Sequence, residues 1–213
     1  MARSITREAI ADQNTRAVRA SVRVVALVND VDLARPTPCA GWNLGDLLAH
    51  MTVQHDGFAA AAAGDGADLG RWQVRPFDPE TLVAECVLAA GRIIDVFSDP
   101  DVLDRQFFLP EVSTRTTFPA RRAIGLHLVD CLVHGWDVAR ALSIPYEPES
   151  DLVNTALTIA RTVPDDGRRL RPGAPFKPAV RQSALAGTGT LSEVLAWLGR
   201  HPAWITPQPG ALP

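Results

Sequence analysis

The chain of 213 residues has room for one domain, or one domain and an extension, at about 150 residues per domain. With 46% hydrophobic and 21% charged residues it can bury a core, which excludes disorder as the default. A formal net charge of -3, with 21 basic residues spread along the chain, argues against nucleic acid as a partner, because neutralising phosphates takes clustered Lys and Arg.

The stretch 1–20 carries Arg3, Arg7, Glu8, Asp12, Arg16 and Arg19 with no apolar block between them, so neither a signal peptide nor a spanning helix is expected. A cytoplasmic protein without a membrane partner is the expectation. Ile5, Ala9, Ile10, Val18, Val22, Val25 and Leu27 set a helical period over 4–29. Arg35-Pro36-Thr37-Pro38 favours an extended connection. Asn43 reads as the N-cap of a second helix reaching about Ala62, with Asp46 near the positive end of its dipole and Gly64-Asp65-Gly66 ending it. Asp78-Pro79 predicts the start of a third helix that runs to about Ser98.

The span 101–119, with Phe107, Phe108, Val112 and several threonines, fits either a short strand pair or an irregular loop. A fourth helix is predicted from about Ala120 to Leu142, ending before Pro145, and a fifth over 150–162. The Gly-, Pro- and Arg-rich segment 165–189 reads as an extended loop, Leu191–Leu198 as a short helix, and 206–213 as a loose tail. Four long helices and one extended connection are the ingredients of an all-α four-helix bundle. The bundle is expected over 1–145, with 146–213 as a C-terminal extension packed on it.

Polar residues at buried-looking helix positions carry the chemistry. On the fourth helix Asp130 and His134 are four apart and share a face, and His127 lies about 20° off the same line, so three potential ligands form one stripe. His50 ends the apolar run of the second helix and Gln54 continues its face one turn on, whereas His55, roughly 140° away, is expected at the surface. Three protein ligands and an open position are the signature of a catalytic metal site; the competing reading is a set of core histidines bonded to neighbours. Trp42 and Trp136 read as packing anchors, and Asp137 with Arg140 as an ion pair fixing the helix. Cys131 reads as a small buried hydrophobe and Cys39, at a helix entrance, as packing before nucleophile. Three cysteines without a CxxC pair predict reduced thiols. No nucleophile elbow, phosphate loop or dinucleotide fingerprint is present.

Three segments together carry a resemblance: Thr37-Pro38-Cys39-Ala40-Gly41-Trp42 through Asp46-Leu47-Leu48-Ala49-His50, Val133-His134-Gly135-Trp136-Asp137-Val138-Ala139-Arg140-Ala141, and Gly199-Arg200-His201-Pro202-Ala203-Trp204. The chain resembles the DinB-like superfamily and, within it, the mycothiol-dependent maleylpyruvate isomerase family. The resemblance implies a four-helix bundle whose divalent metal is held by His50, Asp130 and His134, with zinc (Zn2+) first and nickel, copper or iron as alternatives. It also implies mycothiol as a thiol cofactor.

Two departures accompany it. The isomerase has a glutamate where this chain has Asp130, which shortens the reach by roughly 1.5 Å, and it carries a second C-terminal domain of which this chain has room for only a remnant. The expectation is therefore a metal-dependent enzyme acting on a small-molecule substrate, an isomerase or a thiol transferase. The alternatives are a non-catalytic metal- or ligand-binding bundle, or a lyase or isomerase using the metal as a Lewis acid without a thiol. A homodimer stays open beside a monomer.

Overall fold

The structure, a computed structural model, describes residues 7–171, 174–181 and 189–206. Four long helices form the bundle: α1 Arg7–Val25, α2 Leu44–Ala63, α3 Leu82–Phe97 and α4 Ala120–Leu142. α1 lies along α4 and α2 along α3, with further contacts between α1 and α3 and between α2 and α4. Strands β1 Gln106–Phe108 and β2 Thr117–Pro119 pair antiparallel with Phe107 opposite Phe118, which decides 101–119 in favour of the strand pair. α5 Ser150–Ala160 packs on α4, and α6 Leu191–Trp197 packs on α5. The expected tail from 207 and the loop residues 172–173 and 182–188 lie outside the described residues.

Local chemistry explains the boundaries. The Asn43 side chain accepts from the Asp46 amide at 2.8 Å while the Asp46 carboxylate accepts from the Asn43 amide at 3.1 Å, a reciprocal capping box that starts α2 where the sequence places it. α3 begins at Leu82, three residues later than a cap at Asp78 would place it. The Asp78 side chain is spent on the Glu80 amide at 3.0 Å, and its carbonyl closes a turn onto Thr81 and Leu82 before the helix starts. α4 is the most buried helix, with Ala120, Ala123, Ile124, Leu128, Leu132, Val138 and Ala139 fully removed from solvent. Truncating one of its buried leucines to alanine costs about 2–5 kcal/mol. Because α4 is central, its His127, His134 and Asp137 are buried rather than presented to water. Among the described residues no helix is long and apolar enough to cross a membrane.

Candidate metal centre

α2 and α4 deliver the candidate ligands. The donor atoms of His50, Asp130 and His134 lie within 4.8 Å of one another, with His134 Nε2 3.3 Å from Asp130 Oδ1 and the rings of His50 and His134 5.1 Å apart. His134 is buried, while His50 is half-buried and Asp130 keeps 25% of its side-chain surface, so the cluster has one side toward solvent. Trp42 stands at that side with its ring 4.8 Å from His50 and is 37% exposed, a wall of the mouth rather than a core anchor. Trp136 is buried in the core as expected.

A second set of groups holds His134 from behind. Its Nδ1 lies 3.0 Å from Asp137 Oδ2, so the Nδ1–H donates to that carboxylate and the Nε2 side of the ring is turned to Asp130 and His50. Asp137 is fully buried, and Arg200 donates to both of its oxygens, at 3.0 and 3.4 Å. The Cys39 thiol donates to Asp137 Oδ2 at 3.1 Å, and Arg200 reaches the sulfur at 3.1 Å. Asp137 therefore pairs with Arg200 and His134, not with Arg140. Arg140 instead lies over the Trp136 ring, 5.7 Å from its centroid.

The loop motifs serve this arrangement. The Thr37 hydroxyl donates to the Trp42 carbonyl at 2.9 Å and accepts from the Cys39 amide at 3.2 Å, and Gly41 takes a left-handed φ of 86°, so residues 37–42 close on themselves and aim Cys39 inward. Gly199, at φ 83°, turns the chain after α6 and presents Arg200; a Cβ there would meet the Lys177 carbonyl oxygen at 2.5 Å. The roles of Cys39, Asp137 and Arg200 were not read from the sequence. The signal lay in Arg200 within Gly-Arg-His-Pro-Ala-Trp, a buried-motif cation with no acid nearby in the chain.

Charge follows geometry. Burial and the charge of His134 push the His50 pKa down to about 4, so its ring is neutral at pH 7 and its lone pair available. Burial would lower His134 too, but Asp130, Asp137 and Cys39 outweigh it and hold its pKa well above the usual imidazole range. Burial alone would raise Asp130, yet His134 and His50 hold it well below the carboxylate range. A proton thus sits where two carboxylates face one imidazole, and a divalent cation is the group that would replace it with the same sign of charge. The donor set fits such an ion: two imidazoles, one carboxylate, a tautomer fixed from behind and one open side.

His127 and His55 are not part of this cluster. His127, expected on the same stripe as Asp130 and His134, is fully buried, with Asn14 donating to its Nδ1 at 2.9 Å and its Nε2 3.0 Å from His55 Nδ1. The Asn14 amide also donates to the Ile124 carbonyl at 3.2 Å, which fixes Nδ1 of His127 as acceptor and makes its Nε2–H the donor to His55. His55 is 1% exposed rather than at the surface, because α4 covers that side of α2, with the His127 ring 5.1 Å from that of His55. Cys131 is buried, as expected, with its sulfur 3.7 Å from Nδ1 and 3.9 Å from Nε2 of His127. Near-equal distances to both nitrogens place the sulfur over the ring face and off the lone-pair direction. The donor atoms of His55, His127 and Cys131 also lie within 4.8 Å of one another, but both nitrogens of His127 are engaged, by Asn14 and by His55, and all three residues are buried.

Residues 15–139 match the model of the mycothiol maleylpyruvate isomerase N-terminal domain. The chain belongs to that family. Two uncharacterized proteins from strains of Mycobacterium tuberculosis are each 31% identical over 193 residues, covering 87% of this chain and 94% of the relative. Crystal structures of the mycothiol-dependent maleylpyruvate isomerase and of a histidine-to-alanine mutant of it superpose with a TM-score of 0.57, at 13% and 12% identity, over 73% of this chain and 69% of theirs. At that identity the superposition speaks for the fold. With the family it establishes the DinB-like bundle as the architecture of this member.

Proposed function

We propose that this family member is a metal-dependent enzyme of small-molecule metabolism, with His50, Asp130 and His134 as the ligands of one divalent ion, zinc first. The observation that carries the reading is the two-sided use of His134, whose Nδ1–H is given to Asp137 while Nε2 faces Asp130. Such an ion supplies Lewis acidity and lowers the pKa of a thiol or water bound beside it.

The protein groups do the rest. Asp137 and Arg200 keep the imidazole of His134 in one tautomer and one orientation. Asp130 contributes the anionic donor, and its position on α4 fixes the distance to His134 by one helical turn. Trp42 narrows the mouth on the His50 side, so a small molecule enters past an aromatic wall. The relatives of known structure are named for mycothiol dependence and maleylpyruvate isomerisation, and a low-molecular-weight thiol is the cofactor we assign here, for an isomerase or a thiol transferase.

The test is an assay of tag-free, zinc-loaded protein with maleylpyruvate, with and without mycothiol. Thiol-dependent turnover that disappears in His134→Ala supports the isomerase. Zinc bound at one per chain with no turnover on this substrate favours a transferase, to be assayed by loss of free thiol against electrophilic substrates. Protein that takes up no zinc contradicts the proposal.

A further inference from the structure

We propose that Glu111, on the loop joining β1 to β2, is the proton-transfer residue of this site, held over it by Gln54. The inference rests on the reading of His50, Asp130 and His134 as ligands and adds a group that leaves them free to bind. Gln54 follows His50 by one turn of α2, so the two share a face, and it is buried at 4% exposure. Its amide donates to Glu111 Oε2 at 2.8 Å, while Oε1 has no hydrogen-bond partner among the described residues.

The loop is built to hold the carboxylate there. Phe107 and Leu109 are fully buried, and the Leu109 carbonyl accepts from the amides of Val112 at 3.0 Å and Ser113 at 2.9 Å. Glu111 thus sits inside a closed turn anchored to the core on one side and to α2 on the other. The charge of Asp130 reaches it from α4: burial first, then that charge, raises its affinity for a proton against the opposing effect of Gln54.

The other polar groups around the cluster are already engaged. Asp137 is fully buried between Arg200 and His134, Cys39 is bonded to Asp137 and Arg200, and His55 and His127 are bonded to each other. Glu111, exposed on its loop and bonded through Oε2 to Gln54, is the carboxylate beside the cluster's α2 face that keeps an oxygen to spare. In the step assigned to it, a small thiol or alcohol enters beside His50 and Asp130 and its S–H or O–H bond breaks. A new O–H bond forms on Glu111, and the electron pair stays on the sulfur or oxygen. The same proton returns when the small molecule leaves, so no oxidant or further reactant is required.

The experiment loads the full chain with Co2+ and follows, by stopped-flow, the sulfur-to-cobalt charge-transfer absorption that appears on mixing with 2-mercaptoethanol. Glu111→Gln should bind Co2+ with unchanged affinity and form the band about 10²-fold more slowly. Glu111→Ala should be slowed alike and accelerated by added formate, a readout that a merely structural role would not move. Equal rates in Glu111→Gln and the parent protein, or no response of Glu111→Ala to formate, overturn the assignment of Glu111 alone. Failure of the parent to bind Co2+, or binding with no band, overturns the ligand reading and this step with it.

Discussion

Two histidine clusters lie on the same two helices, and they differ in what their second nitrogens do. In the outer cluster His134 gives one nitrogen to a buried carboxylate and turns the other to Asp130 and His50. In the inner cluster His127 spends both nitrogens, on Asn14 and on His55, within reach of the rings of Phe58 and Phe97. The outer histidine lies between Asp130 and Asp137, the latter paired with Arg200, so charge is paired; the inner pair has no ionised hydrogen-bond partner among the described residues, and burial drives both rings neutral, to about 4 for His55 and about 3 for His127. The same residue types thus give a centre poised for a cation in one place and a polar seam tying α1, α2 and α4 in the other. What separates them is a carboxylate one turn away and a side open to solvent.

The largest expected effect on the outer cluster comes from removing its buried cation. Arg200→Met leaves Asp137 without its guanidinium in a fully buried position and should cost about 3–5 kcal/mol of stability, read from the urea midpoint of the metal-free protein. A loss below 1 kcal/mol would mean that the C-terminal segment does not clamp the site. Asp137→Asn keeps the shape and removes the charge behind His134; a 10–100-fold weaker zinc affinity is expected in chelator competition, and an unchanged affinity would detach Asp137 from the metal site.

For the inner cluster the sharper probe is pH. Both rings have folded pKa values below the usual 6.5, so below that pH the unfolded chain takes up protons that the folded chain refuses. Their stabilisation is whole above pH 6.5 and declines as pH falls toward about 4, by up to about 1.4 kcal/mol per pH unit for each ring. His134, with its raised pKa, acts with the opposite sign in the metal-free protein, present below 6.5 and lost as pH rises through its folded value. His55→Leu should therefore flatten the acid slope of the parent between pH 6.5 and 5, in urea unfolding at fixed salt. An identical slope in the variant would show that the inner pair is not held neutral by the fold.

The sequence reveals periodicity and caps better than long-range pairing. The capping box at Asn43 and Asp46 and the span of α4 are visible because they depend on neighbours in the chain. Helical spacing puts Asp130 and His134 together because they are one turn apart on one helix, and it puts His127 with them by the same rule. His127, however, lies two turns, about 10 Å along the axis, before His134, which carries it past the cluster to Asn14. His55 looks exposed until α4 covers it. The Asp137 pairing is 63 residues distant and the Gln54 pairing 57, so neither Arg200 nor Glu111 carries a local signature.

The comparison of the two clusters is tested most directly by the zinc content of protein purified without a histidine tag, measured alongside circular dichroism. The expected result is one zinc per chain in the parent and in His127→Ala, a reduced content in Asp130→Asn and none in His134→Ala, with helical signal kept in all four. Zinc retained by His134→Ala, or lost from a folded His127→Ala, would contradict the assignment of the outer cluster as the metal centre.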